Sequence, residues 1–275
     1  MKDLWNYKGK RCLVVGCYSG IGAATARELV RLGAEVHGAD MRPSPVEGLA
    51  SFTICDLRDR AQIDAAIAAV DGDIDALFYC AGLPQTFPPL EVVQVNFLSV
   101  RYLVEKALPK LKPGSAVAII ASTAGNGYML RLGQQMEFVQ TPDYDAGLAW
   151  VEPRLADVGD IYGFTKEAVV VWGLLRSQTL IERGVRLNLL SPGPTDSNLL
   201  KNVEAASSAK IIDVFTRPIN RRSRPEEQCY PLIFLNSDAA SYVNGTNFVA
   251  DGGFTAGAML GLIDPAKLME EAAQG

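Results

Sequence analysis

Tyr162 and Lys166, in the run Tyr162-Gly163-Phe164-Thr165-Lys166, place a phenol and an ammonium four residues apart. On a helix, positions i and i+4 share a face, so both groups reach one site. Unperturbed, a phenol titrates near pH ~10 and an ammonium near ~10.4. A fixed positive charge beside a phenol favours the phenolate and lowers its pKa. The pair is therefore predicted to exchange a proton with a bound molecule at working pH. Tyr-x-x-x-Lys also arises by chance in many helices, so its meaning depends on its surroundings.

Several other groups fit the same chemistry. Gly16, Gly20 and Gly22 stand in Val15-Gly16-Cys17-Tyr18-Ser19-Gly20-Ile21-Gly22, between an apolar run and a helical one. Glycines there permit a tight turn and let a diphosphate approach backbone N–H groups at a helix N-terminus. A plain tight turn is the alternative. Asp40 closes the next apolar run, where a carboxylate accepts hydrogen bonds from ribose hydroxyls and repels a 2′-phosphate. With Arg42 two positions on and no basic residue at Ser19 or Met41, this favours NAD over NADP. A solvated strand-end aspartate remains the other reading. Asp56 follows the third run and Cys80-Ala81-Gly82 the fourth. Asn96 is polar amid Val95 and Phe97 and calls for a partner, unless it faces solvent. Ser122 ends Ile119-Ile120-Ala121-Ser122, as a turn former or a ligand-facing hydroxyl.

These residues need a frame. Short apolar runs at 11–15, 35–39, 51–55, 76–79, 116–121, 185–190 and 246–250 alternate with helical patterns near 20–32, 60–70, 89–111, 160–183 and 225–237. Strand and helix alternating at this spacing predict right-handed crossovers and a parallel sheet covered on both faces. The expected fold is α/β, a single doubly wound domain over 1–275 with a seven-stranded, mostly parallel sheet. Two stretches exceed ordinary loops: 123–159, before the Tyr162 segment, and 194–222, after the sixth run. Long excursions at the carboxyl ends of parallel strands are where ligands bind. The second stretch reads as a substrate lid; the first reads as a lid, a surface ornament or a subunit contact. The tail, 254–275, is apolar early and reads as packing on a neighbouring subunit.

Composition excludes other classes. Of 275 residues, 48% are hydrophobic and 21% charged, ordinary for a globular protein. Net charge is −5 and the 26 basic residues form no stripe, so nucleic-acid binding is not expected. Residues 1–10 lack an apolar signal region and no apolar stretch approaches the ~20 residues of a membrane span, which predicts a cytoplasmic protein. Five cysteines without C-x-x-C spacing read as buried free thiols. His37, the only histidine, lies in an apolar run and reads as a packed strand residue, which leaves a Ser-His-Asp triad or a His/Cys zinc site poorly supported.

Taken in order, these motifs resemble the short-chain dehydrogenase/reductase family from about Gly9 to Phe254. The residues that carry the resemblance are Gly16-x-x-x-Gly20-Ile21-Gly22, Asp56, Ala81-Gly82, Asn96, Ser122, Tyr162-x-x-x-Lys166, Asn188, Pro192-Gly193 and Asp251-Gly252-Gly253. Cys80-Ala81-Gly82-Leu83-Pro84-Gln85-Thr86, the long 123–159 insertion and Ala240-Ser241-Tyr242-Val243-Asn244-Gly245 are similar to the bacterial 3α-hydroxysteroid dehydrogenase/carbonyl reductase branch, with its coniferyl-alcohol dehydrogenase relatives. The chain departs in having Val15 and Cys80 where the family often has threonine and asparagine. The usual threonine after Pro-Gly is matched by Thr195 or Ser197.

The resemblance implies a Rossmann fold and hydride transfer between NAD and a sizeable apolar alcohol, such as a hydroxysteroid, an aryl alcohol or a terpenoid. It implies Tyr162 as proton acceptor and donor, and Lys166 as its cationic helper and a ribose ligand. It further implies Ser122 as partner of the substrate oxygen and Asn96 as holder of a relay water. Cofactor contacts are implied for Gly16, Ser19, Gly20, Ile21, Gly22, Asp40, Arg42, Asp56, Leu57, Cys80, Ala81, Gly82, Pro192, Gly193, Thr195 and Ser197. No metal is implied. A homodimer or homotetramer is. A dehydratase or epimerase, or a dinucleotide sensor without catalysis, would be the competing functions.

Overall fold

The computed structural model describes residues 3–274, with side chains through residue 272. Residues 1–2 and 275, which fall within the expected leader-free start and tail, lie outside them. Seven strands form one sheet: β1 (Arg11–Val15), β2 (Glu35–Asp40), β3 (Ser51–Ile54), β4 (Ile74–Tyr79), β5 (Leu111–Ile120), β6 (Arg186–Pro192) and β7 (Asn247–Ala250). Their order is β3-β2-β1-β4-β5-β6-β7. Every pairing is parallel, where the sequence suggested mostly parallel. The strand order reverses between β1 and β4, which opens a crevice at their carboxyl ends. This is a doubly wound Rossmann fold in a single sheet-centred domain.

Strand alternation builds the two layers around it. Leu13, Val15, Leu77, Tyr79, Val117, Ile119, Leu187 and Leu189 point to one face and Cys12, Val14, Ala76, Phe78, Ala118, Ile120 and Leu190 to the other. The first set packs on α2 (Arg60–Ala68), α3 (Pro89–Val93), α4 (Ser99–Ala107) and α7 (Ile161–Leu180). The second packs on α1 (Gly20–Arg31) and α10 (Pro225–Asn236). With both faces covered, the strands carry continuous apolar runs.

The 89–111 helical pattern resolves into more than one element. Helix α3 passes through a π-helical turn, Gln94–Leu98, into α4, and Leu111 already belongs to β5. Periodicity could not show the wider turn, which carries Asn96. The 123–159 stretch contains no strand. It folds into α5 (Leu132–Val139) and α6 (Tyr144–Val151) and packs onto α7. Phe138 stacks on Phe164 at 5.4 Å between centroids and on Trp150 at 5.1 Å, so part of the insertion joins the core while most of its residues stay partly or fully exposed. The 194–222 stretch holds α8 (Asn198–Ala206) and α9 (Ala209–Val214); the tail holds α11 (Phe254–Met259) and α12 (Pro265–Gln274). The tail folds back toward α9 of its own chain, which the sequence reading did not foresee. Among the described residues no helix is long and apolar enough to cross a membrane.

Close packing of the β1–α1 turn depends on one hydrogen atom. A Cβ at Gly22 would lie 1.9 Å from the Gly16 carbonyl oxygen, a backbone atom that cannot move aside cheaply. Gly22→Ala is expected to destabilise the protein by at least ~1–3 kcal/mol, as overpacked sites do. Thermal unfolding checks this; an unchanged melting temperature would contradict the packing described.

Candidate active site

Parallel register lines up the strand ends. Val15 pairs with Ala39 and with Tyr79, Tyr79 with Ile119, and Ile120 with Leu190. Gly16, Asp40, Cys80, Ser122 and Gly193, each at or just beyond such an end, therefore border one cavity of about 1490 Å³. That exceeds the ~300–1,000 Å³ of a pocket for one drug-sized ligand.

One end of the cavity suits a dinucleotide. Helix α1 begins at Gly20 with no side-chain cap and no acidic residue in its first turn, so its free N–H groups and dipole face the cavity. A Cβ at Gly16 would meet the Ala81 nitrogen at 2.5 Å, which keeps the β1 and β4 turns in contact. The Asp40 carboxylate accepts from the Tyr18 N–H at 3.0 Å and the Arg42 N–H at 3.2 Å. The Arg42 guanidinium lies 5.4 Å from the Tyr18 ring centre.

Helix α7 supplies the other end. Asp160 caps it, its carboxylate accepting from the Tyr162 and Gly163 N–H groups. Tyr162 and Lys166 are one turn apart on the face turned to the cavity, the Lys166 Nζ 5.8 Å from the phenol ring centre. Lys166 is 3% exposed and donates to the Ile120 carbonyl at 3.2 Å. A Cβ at Gly125 would stand 2.7 Å from the Lys166 carbonyl, so the backbone after Ser122 lies directly against α7.

The electrostatics differ from the sequence expectation. Burial pushes the Tyr162 phenol above its ordinary value, and the nearby Ser122 hydroxyl only partly offsets this. Burial also lowers Lys166 to about 8. Desolvation is the leading cause at both groups, and it shifts each toward its neutral form.

Most of the predicted residues border the cavity: Gly16, Ser19, Gly20, Ile21, Asp40, Arg42, Leu57, Cys80, Ala81, Gly82, Ser122, Tyr162, Lys166, Pro192, Gly193, Thr195 and Ser197. Three stand apart. Gly22 packs behind the turn. Asp56 is held by Arg58 through Nε and Nη2, at 3.0 and 2.7 Å, and does not face the cavity. Asn96 is buried, its side-chain amide accepting from the Leu83 N–H at 2.7 Å and donating to the Leu83 carbonyl at 2.9 Å and Thr165 Oγ1 at 3.3 Å. That amide fastens the Leu83 loop to α7. Thr195 Oγ1 donates to the Gly193 carbonyl, and Ser197 caps α8. The four cysteines other than Cys80 are buried and free; His37 is packed against Ser51 at 2.8 Å.

Sequence reasoning left out the apolar wall. Tyr128, Met129, Leu130, Leu199, Val203, Ile211, Phe215, Phe254 and Met259 all border the cavity. The length of the two excursions was the available signal.

This arrangement decides the family when set beside known proteins. The short chain dehydrogenase family model matches residues 10–133, and the enoyl-(acyl carrier protein) reductase model matches residues 151–255. The coniferyl-alcohol dehydrogenase of Pseudomonas sp. (strain HR199 / DSM 7063) is 32% identical over 89% of this chain and 96% of its own. The 3-alpha-hydroxysteroid dehydrogenase/carbonyl reductase of Comamonas testosteroni is 33% identical, with the same coverages. The chain belongs to the short-chain dehydrogenase/reductase family. The crystal structure of the 3-alpha-hydroxysteroid dehydrogenase from Pseudomonas sp. B-0831 complexed with NADH superposes at a TM-score of 0.77, with 28% identity, over 91% of this chain and 98% of that one. As a short-chain dehydrogenase/reductase, the protein is an oxidoreductase of the alcohol dehydrogenase type that uses a nicotinamide dinucleotide and a small-molecule substrate.

The buried ammonium makes stability depend on pH. Below about 8 both folded and unfolded chains hold the Lys166 proton and the folded state carries the full desolvation cost. Between about 8 and 10.5 only the unfolded chain holds it, so wild-type stability climbs with pH. Lys166→Met is expected to stabilise the cofactor-free protein at neutral pH by on the order of 2–3 kcal/mol, an advantage that shrinks through that window. Denaturant unfolding across pH measures it; a pH-independent difference would contradict the buried charge.

Proposed function

We propose that this protein interconverts a sizeable, uncharged apolar alcohol and its carbonyl compound with NAD as the partner. The observation that carries this is the composition of the cavity end beside Tyr162. Of the charged residues bordering the cavity, Asp40 and Arg42 belong to the dinucleotide end and Arg58 is paired with Asp56 and Glu91, which leaves Asp160 and Lys166 among the described residues. Asp160 is committed to capping α7. With Lys166 assigned to the nicotinamide ribose, no cation is left to pair with an anionic substrate, whereas Met129, Leu199, Phe215, Phe254 and Met259 offer apolar surface. Steroid-like, aryl and terpenoid alcohols all match this description, as do the substrates named for the two relatives above.

Bound NAD would supply a hydride acceptor at its nicotinamide ring. The α1 N-terminus would hold the diphosphate and Asp40 the adenosine ribose, where a 2′-phosphate would meet its charge. Residues of this chain would do the rest. Ser122 Oγ would hydrogen-bond the substrate oxygen and stabilise charge as it develops. Tyr162 would take the hydroxyl proton during oxidation and return it during reduction. Lys166 would hold the nicotinamide ribose and a positive charge behind the phenol. Asn96 would act at one remove, by fixing the Leu83 loop and α7 together. The α8–α9 stretch would cover the substrate as a lid, and the tail would close the same mouth.

Three outcomes follow. Tyr162→Phe is expected to cost ~10²–10⁴-fold or more in kcat with NAD affinity nearly intact; a large residual activity would refute the role. Asp40→Ala is expected to shift the NAD/NADP ratio of kcat/KM toward NADP, and an unchanged ratio counts against ribose recognition. Because the phenol is held protonated by burial, alcohol oxidation should accelerate as pH rises above neutrality while carbonyl reduction slows. Initial rates followed by NADH absorbance with hydroxysteroids, aryl alcohols and cyclic terpenols test all three; parallel pH profiles in both directions would contradict the third.

A further inference from the structure

Lys166 turns toward the cavity; its neighbour on α7, Glu167, turns the other way beneath the insertion and is 6% exposed. A buried carboxylate needs donors, and the insertion supplies them all. Arg131 donates to Glu167 through Nε at 2.5 Å and Nη2 at 3.2 Å, and Gln135 Nε2 donates at 3.0 Å. The remaining Arg131 nitrogen, Nη1, donates to the Val158 carbonyl at 2.8 Å, tying the start of the insertion to its end. The guanidinium also lies over Phe164, 5.3 Å from its ring centre.

Immediately before Arg131 comes the wall of the cavity, Tyr128-Met129-Leu130. Tyr128 packs against the core, but the rest of that wall is loosely held: Leu130 is 94% exposed and Met129 63% exposed. Apolar contact therefore fixes its Tyr128 end but not Met129 and Leu130. The nearest rigid fastening is the Arg131–Glu167 pair, one residue along the chain from Leu130 and one from Lys166.

We propose that Arg131 and Glu167 form a positioning clamp that sets substrate selectivity, holding the Tyr128–Leu130 wall at a fixed distance from the proton-transferring residues. The inference rests on the oxidoreductase reading above. Neither residue borders the cavity. A loosened wall would lose grip on a large apolar alcohol while leaving a small one, too short to reach the wall, unaffected.

The test compares wild type with Arg131→Met and Glu167→Gln on a fused-ring secondary alcohol and on cyclohexanol, with amide hydrogen exchange measured on the same proteins. Expected are a rise of about tenfold in KM for the fused-ring alcohol and changes under about twofold in cyclohexanol kinetics and in KM for NAD. Amides of 128–131 should exchange faster while those of 162–166 do not. Arg131→Lys, which keeps the charge but replaces three guanidinium contacts with one ammonium, should recover only part of the selectivity. An equal loss on both alcohols, an altered KM for NAD, or unchanged exchange at 128–131 would overturn the clamp. Should Arg131→Met fail to fold, Glu167→Gln, which keeps the side-chain shape, decides the matter on the same readouts. Wild type inactive on every alcohol would sink the oxidoreductase reading instead, and hydrogen exchange alone would then judge the clamp.

Discussion

Parallel strand pairing in one register is the constraint on which the site depends. Gly16, Asp40, Cys80, Ser122 and Gly193 are scattered over most of the chain, yet each stands at or just past the carboxyl end of a strand. Side chains alternate between faces with period two, so a slip of one residue in any pairing would turn its buried set outward. The two apolar layers forbid such slips. Core packing thereby sets the relative positions of the glycine turn, the carboxylate and the hydroxyl to within a residue, although none of the three contributes much to the core.

The second determinant is desolvation. Tyr162 and Lys166 belong to a helix pressed between the sheet and the insertion, and burial shifts both toward neutrality. The same dryness strengthens any hydrogen bond to a substrate oxygen placed between Ser122 and Tyr162. The insertion thus acts on the chemistry without entering it: Phe138 and Trp150 close the outer side of α7, and Arg131 and Gln135 answer the charge at Glu167.

Much of this was legible in the sequence because it repeats a pattern in short range. Strand-helix alternation gave the sheet, and the motifs beside strand ends gave most of the cavity border. What escaped reading required three-dimensional partners. The commitment of Asp56 depends on Arg58 swinging back by two residues, which no spacing rule signals. Asn96 asked for a partner, but that the partner is the Leu83 backbone follows only from the π-helical turn. The phenol pKa was expected to fall with a cation nearby, and the opposing cost of burial depends on how much chain covers α7. The tail reaches α9 of its own chain while Met259, Leu260 and Leu262 stay exposed, and its apolar composition alone does not tell which part turns to its own cavity.

The most direct measurement of the central claim is a crystal structure of the protein with NAD and an apolar alcohol bound. The account predicts the diphosphate at the N-terminus of α1, the nicotinamide ring beside Tyr162, and the alcohol oxygen within hydrogen-bond reach of both Ser122 Oγ and the Tyr162 phenol. A nicotinamide ring lodged away from Tyr162, or an alcohol oxygen bonded to neither hydroxyl, would contradict it.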